Sequence, residues 1–432
     1  MRNGTDRTMF GLTGLLFAAL VAGQLLRIQP FSGTGGALTA LDIALILANG
    51  YLLLRLLTTR QLGRFLGTTY RHPVWKWSML FLAWAALTLL VNLPDYTVQQ
   101  GLVAVSYLGR LTLAFSFAWL VHHLMAASRA AVPKTVFVAG GALLALGYIQ
   151  LLFLGDFRFM AQYGWDPHIG RMLSTFFDPN YFGVFLVLAL VLAFGQLART
   201  RKRIWLAYFG LTWAGLFLTY SRSAWLAGAI ALTGTALKRS WKVALLIAVV
   251  FISVLLVPNR LGERFADSSG IINQNIGDDD VDCNEQTDRL CDRSSSARVI
   301  SWRKGLDLVK TSPFIGVGYN AYGYALVRER LLSEKRLASH SSQGSDSSLL
   351  NIWATTGIIG LGLFLAFMYQ VLAALFRQRE DWQSYGLIWF TAAWLVVSFF
   401  NNSLLYISIL VPWLILLAVT LPRKGQAHGT DD

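Results

Sequence analysis

Residues 351–368, NIWATTGIIGLGLFLAFM, follow directly on a polar, serine-rich run, RLASHSSQGSDSSLL, at 336–350. The first stretch is apolar enough to enter a bilayer, and the second carries a single histidine, His340. Because a membrane helix needs about 20 mainly apolar residues, this junction marks a loop that becomes a transmembrane span. The junction therefore indicates a helical membrane protein.

The composition of the whole chain agrees with this interpretation. Of 432 residues, 55% are hydrophobic and 14% are charged, and the mean hydropathy is +0.50. Soluble domains have about one quarter of their residues charged. We expect an all-α, polytopic membrane protein with about twelve transmembrane helices. Their segments lie near 9–29, 37–57, 74–93, 101–124, 133–154, 180–198, 204–220, 223–237, 242–258, 348–375, 384–400 and 403–421. The first run has no convincing cleavage site, so it is expected to be retained.

The distribution of lysine and arginine predicts the orientation, because short cytoplasmic loops are rich in these residues. With the N-terminus inside, the inside loops contain Arg55, Arg60, Arg64, Arg71, Lys76, Arg129, Lys134, the run RTRKR at 199–203, the run KRSWK at 238–242, Arg377, Arg379, Arg423 and Lys424. The short outside loops contain only Arg27, Arg158, Arg171 and Arg222. We expect helices 1–9 in residues 1–258, a large, mainly helical external loop in 259–347, and helices 10–12 with a cytoplasmic tail in 348–432.

The external loop contains both cysteines of the chain, Cys283 and Cys291, in the stretch CNEQTDRLC. An outside location permits oxidation, and two cysteines in one loop favour a local disulfide over free thiols. The net charge of +14 reflects the orientation signal and contact with anionic membrane lipids, so nucleic acid is not expected as a partner.

One arginine falls inside a predicted span. Arg110, in SYLGRLTLAF, is costly at the bilayer centre, by roughly 2.5 to 3.5 kcal/mol. It is expected to face protein or water, and its structural interpretation is a partner for Asp42 or for a backbone carbonyl.

Four external arginines stand beside small polar residues at the ends of predicted spans. Arg171 opens RMLSTFFDPNYFG, Arg222 lies in LTYSRSAWLAG, and Arg298 and Arg303 lie on the amphipathic stretch of SARVISWRKGLDLVKTSPFIGVGYNAYG. A guanidinium binds phosphate oxygens in pairs, so arginines that converge at a bilayer surface suit a phosphorylated lipid head group. Snorkelling or a surface ion pair explains any one of them alone.

His340 is the remaining candidate, as the one histidine of the large external segment. An imidazole with a pKa near 6.5 can take a proton from a hydroxyl at neutral pH. An isolated external histidine is more often a solvated side chain, so the residues alone leave its role open.

These stretches together resemble the O-antigen ligase and polymerase superfamily of bacterial envelope proteins. The resemblance rests on RMLSTFFDPNYFG, YSRSAWLAG, the tryptophan-bearing helix with P-x-x-G-x-G, and HSSQGSDSSLLNIWATTGIIGLG, over roughly residues 170–365. It implies an inverting ligase of the inner membrane with a periplasmic active site and neither metal nor other cofactor. The implied substrates are a glycan on undecaprenyl diphosphate and a sugar hydroxyl of the lipid A core.

The resemblance also assigns roles to the candidate residues. Arg171, Arg222, Arg298 and Arg303 would bind the donor diphosphate, and His340 would activate the acceptor hydroxyl. In the family pattern a histidine or aspartate stands eleven residues before G-x-x-G, and here that position holds Asp346, six residues after His340. Asp346 is therefore a second candidate base, although we favour it as the cap of the tenth span.

Several alternatives stay open at the level of sequence. The run GDDDVDC resembles a metal-binding D-x-D element, but four acids in a loop are more often a solvated face, so no metal is expected. A polymerase or a protein O-oligosaccharyltransferase of the same superfamily has similar motifs. A secondary transporter would need related halves and central charges, of which only Arg110 is found. A passive scaffold would need no function from the external arginines.

Overall fold

A computed structural model of the chain describes residues 2–29, 37–125, 127–163, 165–256, 293–333 and 344–422. His340, both cysteines and GDDDVDC lie outside the described residues, so what is expected of them stays a prediction. The described helices are α1 Arg2–Ala22, α2 Ala40–Thr58, α3 Leu62–Arg71, α4 Pro73–Asn92, α5 Val98–Leu124, α6 Val132–Phe153, α7 Pro179–Thr200, α8 Arg203–Leu218, α9 Arg222–Leu237, α10 Trp241–Leu256, α11 Arg293–Thr311, α12 Tyr322–Arg328, α13 Ser348–Phe376, α14 Trp382–Val397 and α15 Ile407–Thr420. Strands β1 Arg27–Ile28 and β2 Leu38–Thr39 form one antiparallel pair.

A helix occupies each of the twelve segments that the sequence predicts to cross the membrane. Among the described residues, seven segments are long and apolar enough to span it: Asp6–Leu26, Ala40–Thr58, Pro73–Asp95, Val98–Leu124, Arg129–Phe153, Pro179–Thr200 and Ser348–Phe376. Helices α8, α10 and α15 are apolar but shorter. The chain is therefore an all-α polytopic membrane protein, as its composition indicates.

Helix α7 lies at the centre of the bundle. Its apolar stretch is 72% buried, against 33% to 44% for the other six long segments. It packs against α8, α9 and α14, which separate most of it from the surroundings. Because α7 is central, the residues at its start lie in the middle of one end of the bundle.

The start of α7 is fixed by the predicted Asp-Pro-Asn turn. Asp178 is the N-cap, and its Oδ1 accepts hydrogen bonds from the amides of Asn180, at 2.6 Å, and Tyr181, at 3.0 Å. Pro179 occupies the first helical position, where its missing N–H costs nothing. The helix start predicted at DPN is confirmed.

The start of α13 differs from the prediction. Ser347, and not Asp346, is the N-cap, because its Oγ accepts a hydrogen bond from the Leu350 amide at 3.3 Å. Asp346 precedes the cap by one residue, and its amide instead donates to Ser301 Oγ of α11 at 2.9 Å. The prediction that Asp346 caps the tenth span is therefore wrong, and its carboxyl group is available for another role.

Helix α13 is interrupted at Gly357, whose backbone angles are φ 67° and ψ 179°. The break frees polar groups that cannot remain unpaired at membrane depth. Ala354 O accepts from the amide of Val317 at 2.9 Å, and Thr355 O accepts from that of Gly318 at 3.1 Å. The P-x-x-G-x-G loop at 313–318 thus completes the hydrogen bonding of the broken helix.

The end of α4 holds the same loop from the other side. Asn92 Nδ2 donates to the carbonyl of Gly316 at 3.2 Å, and the hydroxyl of Tyr96 donates to that of Val317. Trp84 Nε1 donates to the carbonyl of Thr356 beside the break, at 2.8 Å. The described part of the segment between α10 and α13 is therefore attached to the bundle through its backbone carbonyls.

Arg110 is neutralised inside the bundle. Its Nε lies 2.6 Å from Asp42 Oδ1, its Nη2 lies 2.9 Å from Asp42 Oδ2, and Nη2 also donates to Ala37 O. Asp42 in turn completes a capping box with Thr39 at the start of α2. The predicted structural role of Arg110, as a partner for Asp42 and a backbone carbonyl, is confirmed.

We expect Gly357→Ala to destabilise the protein. A Cβ at this position would lie 2.0 Å from Phe314 O, and φ 67° with ψ 179° is a conformation that essentially only glycine adopts, at a cost to other residues of about 1 to 3 kcal/mol. The matched control is Gly362→Ala in the same helix, where a Cβ meets nothing within 4 Å and the better helix former should raise stability slightly. Thermal unfolding of the purified variants in detergent measures the difference, and equal midpoints would contradict the role of the break.

Candidate functional site

Arg171 lies in the loop before α7 and is buried, with 8% of its surface exposed. Its Nε donates to the carbonyl of Thr219 at 2.8 Å, and the amide of the next residue, Met172, donates to Leu218 O at 2.9 Å. These contacts join the loop to the tight turn between α8 and α9. These hydrogen bonds fix both the backbone next to Arg171 and the Nε end of its guanidinium group.

Arg222 is the first residue of α9 and is equally buried, at 9% exposure. The N-cap of this helix is Ser221, whose Oγ accepts from the amide of Ala224 at 3.3 Å and donates to Asn180 Oδ1 at 2.7 Å. Asn180 belongs to the turn that Asp178 caps. The starts of α7 and α9 are therefore linked directly, and Arg171 and Arg222 belong to one connected region.

The carboxyl group of Asp178 has a raised pKa. Burial is the largest cause, and it is opposed by the hydrogen bond from the Tyr181 amide and by the charges of Arg171 and Arg298. Arg298 lies on α11, more than 100 residues after Asp178 in the sequence. Because its charge acts on the Asp178 carboxyl group, this second part of the chain also borders the site.

Asp346 belongs to that second part. Burial raises the pKa of its carboxyl group, the positive charge of Arg298 lowers it, and the negative charge of Asp178 raises it. Ser301 lies one helical turn after Arg298 and forms a hydrogen bond with the Asp346 side chain that lowers the pKa. Helix α11 and the start of α7 therefore meet at two carboxyl groups.

Asp166 and His168 complete the cluster, and the sequence offered no role for either. Their ligand atoms and one of Asp178 all lie within 4.8 Å of one another. Burial raises the pKa of Asp166, the charges of Asp178 and Asp346 raise it further, and Arg171 lowers it. Asp166 and Asp178 each precede a proline, at 166–167 and 178–179. This repeated Asp-Pro pair is the sequence feature that could have indicated Asp166 as a site residue.

Two carboxyl groups and an imidazole are the ligand types that a divalent cation can take. The same space contains the guanidinium of Arg171, whose charge opposes a bound cation. The expectation that no metal takes part stays a prediction.

The remaining site candidates differ in whether the structure places them in the cluster. Arg303 lies on α11 with Arg298, but its side chain is exposed, whereas that of Arg298 is partly buried. The structure therefore brings Arg171, Arg222, Arg298 and Asp346 together with Asp178 and leaves Arg303 at the surface. His340 lies six residues before Asp346 and, like Cys283 and Cys291, outside the described residues.

The fold and this cluster define a class of protein, a polytopic helical membrane protein with guanidinium and carboxyl groups converging at one end of the bundle. Residues 207–365 match the family model described as O-Antigen ligase. The matched segment runs from α8 into α13 and contains Arg222, Arg298 and Asp346, while Arg171 and Asp178 precede it. No curated protein matches the chain. Over these residues the chain is similar to the O-antigen ligase family, and the match supports a member of that superfamily.

We expect Asp346→Asn to stabilise the protein at neutral pH. The raised pKa means that the folded state disfavours the ionised carboxyl, so this cost is absent below the ordinary aspartate pKa of about 3.9, grows as the pH rises from there to the raised pKa, and is constant above it. The variant should have the higher thermal midpoint at pH 7 to 8, and the difference should shrink towards pH 4.

The control is Asp307→Asn on α11, where the carboxylate pairs with Lys310 at 2.7 Å near the surface. This variant should show no comparable gain at neutral pH. A midpoint difference for Asp346→Asn that is the same at every pH would contradict the burial of its charge.

Proposed function

We propose that this protein is an inverting, metal-independent glycosyltransferase that ligates O-antigen. It transfers a glycan from undecaprenyl diphosphate to a sugar hydroxyl of the lipid A core. The observation that carries the proposal is the convergence of Arg171, Arg222 and Arg298 with Asp346 in and beside the O-antigen ligase domain. The family match supports the superfamily, and the charged cluster supports the proposed glycosyl transfer.

The arginines serve the leaving group. As the bond between the anomeric carbon and the diphosphate oxygen breaks, negative charge collects on the diphosphate. Guanidinium groups that are already fixed stabilise that charge without reorganising, which is typically the largest catalytic contribution. Arg171 and Arg222 meet the requirement, because each is buried and attached to a connected set of backbone turns.

The acceptor hydroxyl needs a base on the opposite face of the sugar. His340 is our first candidate, since its imidazole accepts a proton at neutral pH. Asp346 is the second, and its raised pKa makes it a stronger base than an ordinary aspartate. The proton of the hydroxyl passes to this base while its oxygen bonds to the anomeric carbon.

The lysine and arginine distribution supports an inner-membrane location in which the end of the bundle that carries α11 faces the periplasm. In that orientation residues 259–347 form a periplasmic subdomain, Cys283 and Cys291 form a disulfide, and residues 1–258 and 348–432 hold the membrane helices. The periplasmic side is also where an undecaprenyl-linked glycan and the lipid A core are proposed to meet.

Two other functions are separable from this one. A polymerase or protein O-oligosaccharyltransferase of the same superfamily would use a different acceptor, so an assay with lipid A core as the sole acceptor distinguishes them. The case for a secondary transporter depends on Arg110 as a charge at the centre of the membrane. The ion pair with Asp42 gives this arginine a structural role instead.

Replacement of His340 by alanine tests the base. In a purified assay with a defined undecaprenyl-diphosphate glycan and lipid A core, transfer by His340→Ala should fall by about 100- to 10,000-fold, because the proton has no acceptor. Asp346→Asn should retain more activity than His340→Ala, and His428→Ala in the tail should retain all of it. Full transfer by His340→Ala would contradict the assignment, and loss confined to Asp346→Asn would move the role to Asp346.

A pair of variants on α11 tests the charge stabilisation. Arg298→Ala should lower kcat by roughly 100- to 1,000-fold, as removal of one preorganised donor does, because Arg298 lies beside both carboxyl groups. Arg303→Ala on the exposed side of the same helix should change kcat only a few-fold. An equal loss in the two variants would show that α11 contributes through its general charge and not through this geometry.

A further inference from the structure

Arg27 borders the site but has no part in the proposed function. It follows α1, and as the first residue of β1 it pairs with Thr39 of β2. Its guanidinium carbon lies 4.9 Å from the centroid of the Trp165 ring, in cation–π geometry. Trp165 directly precedes Asp166 of the carboxyl cluster. One well-placed guanidinium therefore lies a single residue from the site.

The surroundings of Arg27 are partly desolvated and contain two phenol groups. Burial lowers its pKa, the phenols of Tyr107 and Tyr406 raise it, and the nearby charge of Arg110 lowers it. Arg110 in turn engages the carboxylate of Asp42 at 2.6 Å. Because Asp42 neutralises Arg110, the positive charge that an anionic group would meet here is that of Arg27.

An aromatic stack connects this region to the start of α7. Gln24 Nε2 donates to the hydroxyl of Tyr406 at 3.2 Å, and the Tyr406 ring stacks on that of Tyr181 with centroids 4.3 Å apart. Tyr181 is one of the two residues whose amides bind the Asp178 carboxylate. These contacts connect the segment that carries Arg27 to the start of α7, where Asp178 lies.

The outer side of Arg27 is apolar. Leu25, Leu26 and Ile28, the residues on either side of it, are each 61% exposed. The segment Asp6–Leu26, which includes both of these leucines and ends beside Arg27, is long and apolar enough to span a membrane. Arg27 thus lies at the boundary between an apolar surface and the polar site, where the head group of an amphiphile is located.

We propose that Arg27, held on Trp165 beside the carboxyl cluster, binds a phosphate group of the acceptor glycolipid and so orients its sugar hydroxyl towards the end of the bundle that carries Asp346. The identification of the ligand as the acceptor rests on the proposed function. The binding site itself rests on the contacts of Arg27. A planar guanidinium binds phosphate oxygens in pairs, which fixes orientation as well as affinity.

Native mass spectrometry of the full chain tests this proposal without requiring transfer. The probes are a phosphorylated lipid A core glycolipid, its dephosphorylated form and phosphatidylglycerol, each presented in zwitterionic nanodiscs. The wild-type protein should retain the phosphorylated glycolipid roughly tenfold better than either of the others. Arg27→Gln should abolish this preference, and Arg27→Lys, which keeps the charge without the fork, should lose part of it.

Arg328→Gln is the matched control. Arg328 also lies over an aromatic ring, 5.6 Å from the centroid of Tyr96, but it pairs with Asp95 at 2.6 Å. Its replacement should leave the preference for phosphate unchanged. An unchanged preference in both Arg27 variants would overturn the proposal, and so would Arg27-dependent retention of phosphatidylglycerol equal to that of the glycolipid.

The two proposals fail in distinguishable ways. Arg27-dependent binding of the phosphorylated glycolipid without any transfer would contradict the ligase function and leave the phosphate site standing. If the wild-type protein transfers the glycan but binds the glycolipid equally well when Arg27 is replaced, only the phosphate site is contradicted.

Discussion

The hydrogen bonding of a broken membrane helix is the constraint on which the rest of this structure depends. At Gly357 the backbone of α13 leaves the helical conformation, and the carbonyls of Ala354 and Thr355 must find other donors. The amides of Val317 and Gly318 supply them. The loop at 313–318 is therefore joined to the bundle by a requirement of the bilayer, which a flexible tether would not meet. Gly357 and Gly316 are needed because a Cβ on either would meet the opposite backbone within 2.5 Å.

This attachment positions the charged groups. The loop at 313–318 follows α11, so fixing the loop on α13 also places Arg298 and Ser301 over the start of α13, where Asp346 lies. The starts of α7 and α9 approach from the centre of the bundle with Asp178, Arg171 and Arg222. Desolvation makes such charges expensive, and their mutual proximity shifts the pKa values of Asp178 and Asp346. Side chains that are costly to bury are concentrated where a charged substrate would use them.

Residue patterns predicted the parts of this arrangement that depend on local chemistry. The twelve apolar runs, the helix start at DPN and the end of α11 before Pro313 follow from hydropathy and backbone propensity, and the structure has each of them. Arg110 and Asp42 were paired because a lone charge in a bilayer is too costly. The cap of α13 was misassigned because Asp346 and Ser347 are both good N-caps, and only the position of Ser301 separates them.

By itself the sequence determined the helical membrane architecture, the arginine-rich external motifs and the resemblance to a superfamily, because these depend on composition and order along the chain. The tertiary structure decided which charges meet. It placed Arg298 in the site and Arg303 at the surface, brought Asp166 and Asp178 to the same cluster, and set Arg27 against Trp165. Such distinctions arise from helix rotation and from contacts between different segments, some of them more than 100 positions apart, which periodicity in one segment does not encode.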